Sequence, residues 1–125
     1  MQACFATISQ SSERIVLDPV KMFERHKLKI TVLRRFSPSE VFETLPVTPT
    51  STLEACGIYE DGQEITVEEN MRMPQGFCPS AWQSIYCTIR TLGHGGNLPW
   101  YTEEGVAVSC CTDGLRPVVF KIERT

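Results

Sequence analysis

Only one segment of this chain carries an apolar period long enough for a substantial helix, and it opens on a cysteine. In Cys78-Pro79-Ser80-Ala81-Trp82, proline falls at the first helical position, where its missing N–H is no loss, and Cys78 stands at or beside the N-cap. Downstream, Trp82, Ile85, Ile89 and Leu92 recur at three- and four-residue steps with Tyr86 flanking, while Arg90 points away. Gly93-His94-Gly95-Gly96 then stops the helix, because glycine accepts the left-handed position past its end. The pattern predicts a central helix over about 79–92 that covers one face of a sheet, with Trp82 in the core.

Around this helix the period falls to two. In Lys27–Arg34, Leu28, Ile30 and Val32 share one face and Lys27, Lys29 and Thr31 the other, as in a half-buried strand. Asp61-Gly62 turns into a short strand, Gln63–Val67. Val106–Cys111 and Pro117–Glu123 read as two strands of a hairpin, joined by Thr112–Arg116 with its Asp-Gly pair. Ser37-Pro38-Ser39-Glu40 is a capping box that predicts a short helix through about Thr44. Pro46–Thr52, with two prolines and four hydroxyl residues, is a loop. Upstream, Phe5 to Ile8 suits a short strand, and Asp18-Pro19 opens a short helix through about Arg25.

These elements predict an α+β fold: a small antiparallel or mixed β-sheet of four to five strands with the 79–92 helix packed on it. At 125 residues one core is expected, with residues 1–26 as an N-terminal accessory segment and 27–125 as a single compact domain. One helix covers one face of such a sheet, and short edge strands invite pairing, so a homo-oligomer is expected.

Composition removes several function classes. Apolar residues at 42% and charged residues at 22% exclude a disordered chain. A net charge of −3 argues against a broad hold on nucleic-acid phosphates. The basic residues Lys27, Lys29, Arg34 and Arg35 then read as the solvated side of a strand. No apolar run approaches the roughly 20 residues needed to span a bilayer, so no membrane partner is expected. The first residues lack a basic start followed by an apolar stretch, and the expected location is cytoplasmic.

The chemistry centres on cysteine. Of Cys4, Cys56, Cys78, Cys87, Cys110 and Cys111, none forms a CxxC motif, and no histidine pair has zinc-finger spacing. A sulfur at Cys78 would feel the positive end of the helix dipole and several free N–H groups, which favour thiolate. The same groups would bind a carboxylate or phosphate. Cys56, before Gly57, and Cys111, at a strand end beside a turn, stand where reactive thiols and ligands are often placed. Neighbours on a strand face opposite ways, so only one of Cys110 and Cys111 can reach a given site. Cys78, Cys111 and His94 are therefore the catalytic candidates. Trp82, Trp100 and Arg116 are the ligand-binding candidates, with Asp113 as turn former and local partner of Arg116. Cys56, Cys78 and Cys111 form an alternative metal set for a divalent transition metal such as zinc. No GxSxG is present, which disfavours a nucleophilic serine.

From Lys27 to Arg124 the chain resembles a family of small uncharacterised prokaryotic proteins. The shared pattern includes Gly76-Phe77-Cys78, Ala81-Trp82, Gly95-Gly96, Pro99-Trp100 and the closing block Cys110-Cys111-Thr112-Asp113-Gly114-Leu115-Arg116-Pro117-Val118-Val119-Phe120-Lys121-Ile122-Glu123-Arg124. The resemblance implies a compact stand-alone domain with Cys56, Cys78 and Cys111 on cysteine positions of the pattern. Three functions remain in view: a small-molecule-binding protein or enzyme with a pocket at the Cys78 helix start, a cysteine-based metal module, and a structural or interaction domain without chemistry.

Overall fold

The computed structural model describes residues 24–125. Its elements are β1 (Leu28–Arg35), α1 (Pro38–Val41), β2 (Glu64–Val67), α2 (Pro79–Gly93), β3 (Val106–Cys110) and β4 (Val118–Arg124). The strands form one four-stranded sheet in the order β2-β1-β4-β3, with every neighbouring pair antiparallel. With α2 as its main helix, this is the small α+β fold that the alternation and the 79–92 period predict. The strand expected over Phe5–Ile8, Cys4, and most of the helix expected over 19–25 lie outside the described residues. Glu24 to His26 are irregular, and the His26 N–H donates to the Gly93 carbonyl at 2.8 Å.

Register explains the core. Ile30 lies opposite Ile65 on one side and Ile122 on the other, and Ile122 in turn faces Ala107. Leu28, Ile30, Val32, Val118, Phe120 and Ile122 are thereby stacked on one face, fully buried. The other face is wet. There Lys29 reaches both Glu64 (3.4 Å) and Glu123 (3.2 Å), and Lys121 also reaches Glu123 (3.4 Å). Hydrogen bonding to Glu123, reinforced by the charge of Glu64, raises Lys29 above the ordinary lysine range. The same hydrogen bond from Lys29 leads the lowering of Glu123.

Helix α2 lays Ala81, Ile85, Ile89, Leu92 and Gly93 on the sheet. Trp82 corrects the expected core face. It sits about 100° round the helix from Ala81, and is only half-buried, packing edge-on against Phe77 with ring centroids 5.6 Å apart. Gly93 has a packing role as well as a terminating one: a Cβ there would lie 2.5 Å from Cε of Met71. Beyond it, Arg124 ties the end of β4 to the end of α2, donating to the carbonyls of Leu92 and Gly96 and to Asn97 Oδ1. Asn97 Oδ1 also accepts the Gly105 N–H.

Helix α1 is a single turn rather than a run to Thr44. Its capping carboxylate is in place, with the Ser37 N–H donating to Glu40 Oε1 at 2.9 Å. Yet only Pro38 of the helix is buried, and Phe42 is already extended. A turn with no apolar face to bury has nothing to extend it. Among the described residues, no helix is long and apolar enough to cross a membrane.

Candidate functional site

A pocket of about 220 Å³ opens at the start of α2, and three separate segments supply its walls. The loop after α1 brings Cys56, Ile58 and Tyr59; the helix start brings Cys78, Ser80 and Ala81; and the β3–β4 connection brings Cys111, Thr112, Asp113 and Arg116, with Val118 at its base. Cys56, Cys78 and Cys111, about fifty residues apart at their extremes, thus line one cavity. All three are free thiols and partly buried.

Local structure fixes each sulfur differently. Cys78 is the N-cap of α2, in extended conformation (φ −67°, ψ 121°), and its side chain makes no capping hydrogen bond. The first turn therefore keeps unused donors, and Ser80 and Ala81, which carry two of them, face the pocket. Cys111 ends β3. Its N–H donates to the Val118 carbonyl at 3.0 Å, and its Sγ accepts the Val118 N–H at 3.3 Å. Cys56 is held through its carbonyl, which accepts from Arg35 Nη1 at 2.9 Å. The same arginine bonds Asp61 at 3.2 Å through Nε, so the end of β1 anchors the whole Cys56–Asp61 loop.

Tyr59 is the member that sequence patterning missed. Its ring is buried edge-on between Phe77 and Phe120, each at 5.4 Å between centroids. Its hydroxyl accepts the Cys78 N–H at 3.0 Å. Burial pushes this hydroxyl up to about 12; the Cys78 N–H opposes the rise, and the charges of Cys78, Cys56 and Cys111 add to it. A phenol that stays protonated among three thiols offers a hydrogen-bond donor throughout the neutral range. Tyr59 lies in Gly57-Ile58-Tyr59-Glu60, which has neither helical nor strand period, so no spacing argument singles it out.

The β3–β4 connection supplies charge. Asp113 Oδ1 accepts the N–H groups of Leu115 and Arg116 at 3.0 and 3.1 Å, and its Oδ2 accepts Arg116 Nε at 3.1 Å. Burial works to raise the Asp113 carboxyl, but those backbone donors and the guanidinium together outweigh it and hold it below its ordinary value. Asp113 in turn orients Arg116, whose outer nitrogens have no protein acceptor among the described residues.

The remaining candidates lie elsewhere. His94 caps the far end of α2, about 24 Å along the axis from Cys78 at 1.5 Å per residue, with its Nδ1 against the Glu24 carbonyl oxygen at 2.9 Å. Trp100 belongs to that same end, 69% exposed and beside Tyr101. Trp82 lines a separate apolar groove with Met73, Pro79, Gln83, Tyr86 and Cys87. None of these three residues reaches the thiol pocket, whereas Cys56, Cys78, Cys111 and Arg116 all do. Among the described residues, no three His, Cys, Asp or Glu side chains are grouped so as to hold a metal ion. Comparison with protein-family models, curated proteins and solved structures finds no match to this chain.

Proposed function

We propose that this protein binds a small molecule in the pocket at the start of α2. An anionic group of the ligand would meet Arg116 and the first-turn N–H groups, and its body would lie against Cys56, Cys78 and Cys111. The observation that carries this reading is the convergence of three free thiols and the Tyr59 hydroxyl, from three segments, on one cavity. Cys78 and Cys111 are the candidate nucleophiles, with the Tyr59 hydroxyl as a hydrogen-bonding group beside them. The volume of about 220 Å³ restricts the ligand to a small one. A reducing cytoplasm, where thiols stay free, is the setting this reading assumes.

Paired alkylation with iodoacetate and iodoacetamide, near-isosteres that differ in charge, tests it. If Arg116 and the helix start attract anions, iodoacetate gains on iodoacetamide at Cys78 and Cys111 relative to exposed Cys87 in the same chain. Arg116→Gln should erase that advantage. Equal ratios at all cysteines would refute the anion-binding reading.

A metal module on Cys56, Cys78 and Cys111 is the second reading; the three share a cavity, but their sulfurs would have to draw together to ligate an ion. Stoichiometric metal in natively purified protein would support it and displace the first. Self-association would use the outer edge of β3, which pairs with no further strand among the described residues and where Val108 is 47% exposed; sedimentation at micromolar concentration reads it directly.

A further inference from the structure

At the opposite end of α2 lies a second pocket of about 220 Å³, lined by Arg25, Glu69, Asn70, Met71, Arg72, Arg90 and His94. Three guanidinium groups share it with one carboxylate, in a chain whose net charge is −3. Like charges around a common space repel, so this arrangement costs free energy unless something offsets it.

The described carboxylates do not supply the offset. Among the described residues, Arg25, Arg72 and Arg90 take part in no ion pair; the nearby Glu24 carboxylate is engaged by His26 at 2.6 Å. Arg90 donates from Nη1 to the Tyr86 hydroxyl at 3.3 Å, a neutral partner that does not balance its charge. Nor are these arginines needed to cap the helix. The carbonyls of Arg90, Thr91 and Leu92 accept the N–H groups of His94, Gly96 and Gly95, the Gly93 carbonyl accepts that of His26, and Arg124 adds a donor to Leu92. Met71, which separates Arg72 from Asn70 and Glu69, holds a left-handed conformation (φ 56°) that is uncommon outside glycine. The Arg72 N–H is fixed on Asn70 Oδ1 at 3.0 Å, so the loop that presents Arg72 is itself ordered.

We infer that this pocket is a binding site for a small dianion of the phosphate type, such as a phosphate monoester, gripped by Arg25, Arg72 and Arg90. Planar guanidinium forks match phosphate oxygens bidentately, and three of them beside the single Glu69 carboxylate leave a surplus of two positive charges that a dianion balances. The site is concave and small, which suits a single phosphate group rather than a polymer strand. It stands at the far end of α2 from the thiol pocket and does not depend on the reading given to that pocket.

Inorganic phosphate, titrated into the whole chain at constant ionic strength and followed by ¹H–¹⁵N NMR, tests the inference. Saturable shifts are expected at Arg72, Arg90 and His94, with acetate binding more weakly. Arg72→Gln and Arg90→Gln should each weaken phosphate by about fivefold or more. Arg34→Gln removes the same charge from a residue already paired with Glu40, and should leave affinity unchanged. Prior alkylation of the thiols should also leave it unchanged, which separates this test from that of the other pocket. Non-saturating shifts spread over every basic side chain, equal weakening by Arg34→Gln, or preference for a short oligonucleotide over phosphate would overturn the assignment.

Discussion

Replacing Tyr59 by phenylalanine removes one oxygen and isolates its contribution to both fold and site. The ring is buried at 3% exposure and its contacts with Phe77 and Phe120 do not involve the hydroxyl, so they survive. What is lost is the acceptor for the Cys78 N–H at the mouth of α2. An orphaned buried donor costs about 1–3 kcal/mol, and the adjoining cavity admits water, which favours the lower half of that range. For a chain of this size the expected fall in Tm is then about 4–8 °C. A second signature appears at high pH. Because the folded hydroxyl titrates near 12 and the unfolded one near 10, the folded state keeps a proton that the unfolded state has lost between those values. Stability contributed by Tyr59 is thus whole below pH 10 and declines as pH rises toward 12, with a limiting slope of about 1.4 kcal/mol per unit. Lys29, also raised, loses stability in the same alkaline window, but it does so in both proteins and cancels in the difference. Urea denaturation of wild type and Tyr59→Phe at pH 7, 10 and 11.5 gives the comparison. Stability unchanged at pH 7 together with an identical alkaline decline would refute the assigned role of the hydroxyl.

Three further outcomes are expected. Trp82→Ala should cost about 2–3 kcal/mol in urea denaturation, less than a fully buried tryptophan, because one side of the indole faces a groove. Arg124→Ala leaves the Leu92 and Gly96 carbonyls without their charged donor and should cost about 2–3 kcal/mol, with hydrogen-exchange protection lost first at Gly95, Gly96 and Gly105. Asp113 is held below its ordinary 3.8, so its contribution is present above that pH and lost as pH falls through the lowered value; Asp113→Asn should flatten the acid limb of the stability curve, and an unchanged limb would remove Asp113 from the account.

Helix α2 was legible because three independent signals agree there: proline at the first position, a 3.6-residue apolar period, and glycines at the end. The strands were legible because one wet face forces alternation, as Lys29 and Thr31 show between Leu28, Ile30 and Val32. Trp82 was misplaced because a period identifies a stripe but not which residue at its margin points inward; Ala81 took that position. Helix α1 came out shorter because a capping box describes how a helix begins and is silent on whether it has anything to pack against. The thiol pocket was legible only in part. The helix start and the turn at Asp113 carry local signals, but Tyr59 and the Arg35 anchor owe their place to tertiary contact. His94 and Trp100 could have been set apart from Cys78 by helix length alone.

The two middle strands of the sheet come from the two sides of everything else: Lys27 and Thr125, bonded to each other beside the β1–β4 pair, are 98 residues apart in sequence. Closing so large a loop precedes any reward from the pairing, which places this domain among the slow folders, in the millisecond-to-second range. Until closure, the β1–β2 hairpin and the β3–β4 hairpin each present an unpaired apolar edge, and each edge is the other's complement. A second molecule can offer the same edge. Exchange of these strand pairs between two copies is therefore the characteristic error of this topology, and a chain cut within the exposed 102–104 segment, between the two pairs, should still yield two fragments that find each other and rebuild the sheet.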